Sequence, residues 1–137
     1  MYTCVASAQD YSNRKAIVEH IDKVLGQETG AWIWVFDCYG IALKHTMQLD
    51  VAVAISNLVK AKYRNDLQRI VIINPTGGVE TLIKHVLPIF SSDSLQYLTR
   101  CKGGMLDIYE SLKNVGFEDT VMNSLISIIR GQQASSV

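Results

Sequence analysis

Asp37, Cys38 and His45 lie in one short stretch behind an apolar run, and a carboxylate, a thiol and an imidazole are the groups that acid/base or nucleophilic chemistry uses. No third partner in the sequence would make them converge. An Asp in the loop after a strand more often fixes the turn through its own backbone bonds, which is the role expected of Asp37. His20 lies on the apolar stripe of a helix and His85 near the outer side of another, neither with a ligand at metal spacing, so a packed and an exposed imidazole are expected. Gly77 and Gly78 open a helix, where free amides and the dipole attract phosphate. Their spacing fits neither a Walker loop nor a dinucleotide fingerprint, so a plain turn is expected. Cys4, Cys38 and Cys101 are odd in number, lack metal spacing and sit in or beside apolar runs, where a thiol acts as a small hydrophobe. They read as reduced, and the protein as cytoplasmic. The residues assign no catalytic group, no metal and no cofactor, and an enzyme is not expected.

Composition narrows the classes further. Thirteen basic side chains balance thirteen acidic ones, so no global field recruits nucleic acid. With 48% apolar and 19% charged residues, the 137-residue chain has the material for one packed domain rather than a disordered one. No apolar run approaches the roughly 18 residues of a membrane span, and the first residues lack a basic segment followed by a hydrophobic one. The domain is expected over residues 1–130, with a frayed tail over 131–137.

These groups would be positioned by alternating strands and helices. Tyr2 to Ala6 reads as a short strand. A helix from about Ser12 to Leu25 follows, with Asp10 or Ser12 as N-cap and Gly26 as stop. Trp32 to Phe36 has no polar member, so both of its faces must be covered, as in a central strand. Gln48 to Tyr63 reads as a second helix and Ile70 to Ile73 as another fully buried strand. Pro75, Gly77 and Gly78 then turn the chain into a helix from Val79 to Phe90, ending around Pro88. Ser91-Ser92-Asp93 restarts a helical turn before a strand from Tyr97 to Cys101. Gly103-Gly104 breaks the chain ahead of a helix from Met105 to Leu112, and Phe117 introduces a last, largely apolar helix. The order implies an α/β layered domain whose sheet is mostly parallel and flanked by helices.

Taken in order, Val35-Phe36-Asp37-Cys38-Tyr39-Gly40, Tyr63-Arg64-Asn65-Asp66-Leu67 before Ile70-Val71-Ile72-Ile73-Asn74-Pro75, Leu87-Pro88-Ile89-Phe90-Ser91 and Tyr97-Leu98-Thr99-Arg100-Cys101 before Met105-Leu106-Asp107-Ile108-Tyr109 resemble the CRAL-TRIO lipid-binding family, in its short branch that includes BCH domains. The resemblance covers roughly Tyr2 to Asn114. It implies a compact domain in which the helix over about 79–90 gates a hydrophobic pocket floored by the sheet. Leu82, Ile83, Val86, Leu87 and Phe90 would form one wall, and Trp32 and Trp34, which share a sheet face, would line the floor. The ligand would be a lipid or another hydrophobic small molecule, with transient membrane contact. Lys84 and Arg100 are the candidate contacts for a head group or a partner. Tyr97 stands where phosphoinositide-binding members carry a lysine, so that selectivity is not implied. The BCH branch implies an alternative, a protein-interaction scaffold with a filled pocket, meeting a small GTPase or its regulator. The apolar last helix offers a homodimer surface. A regulatory domain of the anti-sigma-antagonist type shares the layout but wants a serine that Asp37-Cys38-Tyr39-Gly40 lacks, although Thr46 is near enough to be tested by mass.

Overall fold

The strand Trp32–Asp37, apolar up to its last residue, and the strand Leu67–Ile73 form the centre of a four-stranded, all-parallel sheet. The computed structural model describes residues 1–4, 13–27, 30–41, 49–90 and 98–134, apart from the side chains of Leu87, Phe90, Gln133 and Ala134. Along it run β1 (Tyr2–Cys4), α1 (Arg14–Gly26), β2 (Trp32–Asp37), α2 (Leu49–Leu58), β3 (Leu67–Ile73), α3 (Gly77–Phe90), β4 (Leu98–Cys101), α4 (Met105–Val115) and α5 (Asp119–Ala134). Tyr2 pairs with Val35, Val35 with Val71 and Val71 with Thr99, so one register row crosses the whole sheet.

The strand order is sequential, β1-β2-β3-β4. Right-handed crossovers that always step in the same direction must lay their helices on one face. Accordingly, the core on one face joins Ile21 and Leu25 of α1, Val59 just beyond α2, and Val79 and Ile83 of α3 to Trp32, Ile70 and Ile72. The other face would be bare without the helices that follow the last strand. There Ile108 and Leu112 of α4 and Met122, Leu125 and Ile129 of α5 cover Val35, Val71, Ile73 and Cys101. Strand alternation divides the side chains between the two cores.

Several boundaries differ from the sequence expectation. The N-cap of α1 is Asn13, whose side chain accepts from the Ala16 amide at 3.1 Å, in place of Asp10 or Ser12. The buried stripe of α1 runs through Ile21 and Leu25, and His20, a hundred degrees round from Ile21, is exposed rather than packed. The helix read as Gln48 to Tyr63 is α-helical only to Leu58. Val59–Tyr63 forms a π turn and Arg64–Asp66 a 3-10 turn. That widened end leaves the Tyr63 carbonyl to accept from the Trp32 indole at 3.0 Å, while the Tyr63 hydroxyl donates to the carboxylate and the carbonyl of Asp22. β3 begins at Leu67 rather than Ile70, because Leu67 already pairs with Trp32. Pro88 lies inside α3 instead of ending it. α5 continues through Ala134, past the point where a tail was expected. The helical turn over Ser91-Ser92-Asp93, together with Ala6, Gln48, Tyr97, His45 and Thr46, falls outside the described residues.

Candidate functional site

Two places in this fold gather side chains that a ligand would meet. The first is the C-terminal edge of the sheet, where open α/β folds bind ligands between strands whose connections leave toward opposite faces. Here β3 leads to α3 on one face and β4 to α4 on the other, so the gap belongs between Asn74 and Gly103. It is stitched shut. The Asn74 amide donates to the Cys101 carbonyl at 2.8 Å, its side-chain NH2 donates to the Gly103 carbonyl at 3.0 Å, and its side-chain oxygen accepts from the Gly103 amide at 2.8 Å. Asn74 adopts φ 49° to do so, a left-handed conformation that Asn tolerates. Both flanking helices are capped from within: the Thr76 hydroxyl accepts from Val79 at 3.4 Å, and the Asp107 carboxylate accepts from Gly104 at 3.0 Å. Gly77 and Gly78 form the first turn of α3.

Asp37 ends β2 on the same edge, 2% exposed. One carboxylate oxygen accepts from the Tyr39 amide at 3.0 Å, the turn-fixing bond expected of an Asp after a strand, and the other accepts from the Tyr2 hydroxyl at 2.5 Å. Burial, reinforced by that bond, holds the Tyr2 hydroxyl far above the ordinary phenol range. Burial also pushes the neighbouring Cys38 thiol up to about 12, with the Asp37 charge adding to the effect. A thiol in that state is a poor nucleophile. All three cysteines are buried thiols outside any disulfide, as their apolar surroundings suggested. Among the described residues no cluster of His, Cys, Asp and Glu could hold a metal ion.

The second place is an apolar cleft of about 110 Å³ between the sheet and the helices α2 and α3. Trp34 and Phe36 of β2, Ile70 and Ile72 of β3 and Leu98 of β4 form its floor. Ala52, Ile55 and Ser56 of α2 make one wall, and Val79, Leu82, Ile83 and Val86 of α3 the other. The floor follows from alternation, since every second residue of these parallel strands faces the same layer. The walls follow from helical spacing, 52-55-56 on α2 and 79-82-83-86 on α3. Ser56 is the single hydroxyl among the described residues of the lining, and it already donates to the Ala52 carbonyl at 2.8 Å. The Trp34 indole is likewise engaged, donating to the Thr3 hydroxyl at 2.9 Å.

Of the residues that the sequence singled out, Trp34, Leu82, Ile83 and Val86 come together in this lining. Trp32 is buried beside them, its ring centroid 6.4 Å from that of Trp34, but it packs under the α2 end and is not part of the lining. The side chains of Leu87 and Phe90 lie outside the described residues. Lys84 is exposed on α3. Arg100 is held in a fork by Glu80, Nε to Oε1 at 2.7 Å and a terminal nitrogen to Oε2 at 2.8 Å, which ties the first turn of α3 to β4. Sequence reasoning passed over Phe36, Ile70, Ile72 and Leu98. The parity that paired Trp32 with Trp34 extends to Phe36, but nothing in one sequence fixes which strands lie beneath which helix. Comparison with protein-family models, curated proteins and solved structures found no match.

Proposed function

We propose that this protein is a non-enzymatic binder of a hydrophobic ligand, a lipid, which enters the cleft between α2, α3 and the sheet. The observation that carries this reading is the lining itself: eleven of its twelve described residues have apolar side chains, and while several of them pack together in the core of that face they also border the open space. Apolar groups leaving water gain about 0.8 kcal/mol per buried methylene, which an all-apolar wall can return. The resemblance to the CRAL-TRIO family supports the same role and names α3 as the gate. At about 110 Å³ the cleft is smaller than the roughly 150 Å³ cavity that takes up benzene and well below the 300–1,000 Å³ or so of pockets for larger ligands. Only the end of a chain fits while α3 stays where it is, and a whole lipid requires α3 to swing from α2. Native mass spectrometry of gently purified protein tests this. Retained lipid, or uptake of a fluorescent lipid that Leu82→Trp and Val86→Trp abolish, is the expected result. No uptake at stoichiometric protein would falsify it.

A second reading, a protein-interaction module of the BCH type, draws on the other face. Leu106 on α4 is 71% exposed, with Tyr109 one turn further along, and Val121 and Ile128 of α5 are also exposed. Exposed apolar side chains in such number suit a protein surface that is covered in use. The same mass spectrum reads subunit number, and a dimer that Leu106→Glu dissociates would favour this reading.

A further inference from the structure

We infer that the fork between Glu80 and Arg100 is the resting state of an anion site, in which a phosphate-class dianion takes the place of the Glu80 carboxylate on Arg100 and is shared with Lys84 and Lys102. The receptor half of that site is already built. Arg100 presents Nε and a terminal nitrogen to the two oxygens of one carboxylate at 2.7 and 2.8 Å, the paired geometry in which a guanidinium also holds phosphate. Glu80 is the oxyanion now seated there. Two further exposed cations stand near that carboxylate, Lys84 one turn along α3 and Lys102 two residues beyond Arg100 at the end of β4. Hydrogen bonds from Arg100 hold the Glu80 carboxyl below the usual glutamate range, and the charges of Arg100, Lys102 and Lys84 lower it further. Among these described residues three positive charges meet one negative charge, so a dianion balances the group better than a single carboxylate does. Displacement is cheap, because the Arg100 and Glu80 side chains are 37% and 30% exposed and water takes up the released carboxylate. Since Lys84 belongs to α3 and Arg100 to β4, a bound anion bridges the two elements that the fork joins directly. These four residues stand apart from the cleft lining, and occupancy of the site does not depend on the ligand proposed for the cleft.

Inorganic phosphate titrated into the full chain at mildly alkaline pH and constant ionic strength, with chloride as the control, tests this. Binding is read from the Nε–H resonance of Arg100 and the carboxyl carbon resonance of Glu80. Phosphate is expected to shift both saturably and chloride neither. Glu80→Gln empties the fork and should tighten phosphate binding by up to about fivefold. Lys84→Gln combined with Lys102→Gln should weaken it, and Arg100→Gln, with the fold checked by circular dichroism, should abolish it. Vesicles of phosphatidylcholine with and without phosphatidate offer the same chemistry on a lipid. A response to inorganic phosphate assigns the site to a soluble anion. Cosedimentation that needs both phosphatidate and Arg100, without a response to inorganic phosphate, assigns it to a lipid phosphate. No response to either source, an equal response to chloride, or phosphate binding that survives Arg100→Gln or weakens in Glu80→Gln overturns the inference.

Discussion

The Tyr2 hydroxyl donates to a carboxylate that has almost no contact with water, so removing that donor leaves Asp37 to the Tyr39 amide. Tyr2→Phe should lower stability by about 1–3 kcal/mol, the usual cost of an under-satisfied buried acceptor, measured by denaturant unfolding at neutral pH. The same neighbourhood gives a pH dependence with a definite sign. The Tyr2 hydroxyl and the Cys38 thiol both bind their protons more tightly in the folded state. Their contribution is intact below the unfolded thiol pKa of about 8.5 and is lost as pH rises, for Cys38 toward about 12. Alkaline titration should therefore unfold the protein from roughly pH 9 upward, with the thiols reacting with a disulfide reagent only as the fold opens. Asp37 was legible as a turn-fixing residue because that role is local. Its bond to Tyr2 was not, since it crosses strands that are distant in sequence.

At the scale of elements, the least expected feature is the stitch across the end of the sheet. Asn74-Pro75 reads as a turn in the sequence, but three bonds from one Asn to Cys101 and Gly103 depend on β3 and β4 being neighbours, which one sequence does not state. Asn74→Ala loses the two side-chain bonds and strains a left-handed residue, together about 2–4 kcal/mol. Asn74→Gly loses the bonds but keeps the backbone at ease, and should cost about half as much; equal losses would mean that φ is not under strain. Gly103→Ala should be as damaging, because its Cβ would collide with the Asp107 carboxylate at φ 116°. Strand β2 was legible end to end from its apolar run, and the helices from their stripes. The π and 3-10 turns after Leu58 were not, because Tyr63 and Trp32 hold that end open through tertiary bonds that override a helical pattern.

Across the whole molecule, the sequential strand order explains why one face carries three crossover helices and a cleft, while the C-terminal pair closes the other. The α/β layering was legible because buried parallel strands and amphipathic helices leave distinct periodicities. Which layer holds the space was not, since a cleft lining and an ordinary core use the same side chains. Among the described residues, the fork between Glu80 and Arg100 ties the α3 layer to the sheet beside that space. The guanidinium holds the Glu80 carboxyl below the usual glutamate range. A depressed folded pKa means that the contribution is present above the unfolded value of about 4.3 and is lost as pH falls through the folded one. Both side chains are about a third exposed, so water and salt screen the pair and it is worth at most about 1 kcal/mol. Glu80→Gln should remove that increment at pH 7 and flatten the acid limb of the stability curve below pH 5, and Arg100→Gln added to it should cost little more. If the fork also restrains α3, lipid uptake by Glu80→Gln should be faster than in the parent at neutral pH, and the difference should close as pH falls through the folded Glu80 value. Equal rates at neutral pH would assign the fork to stability alone.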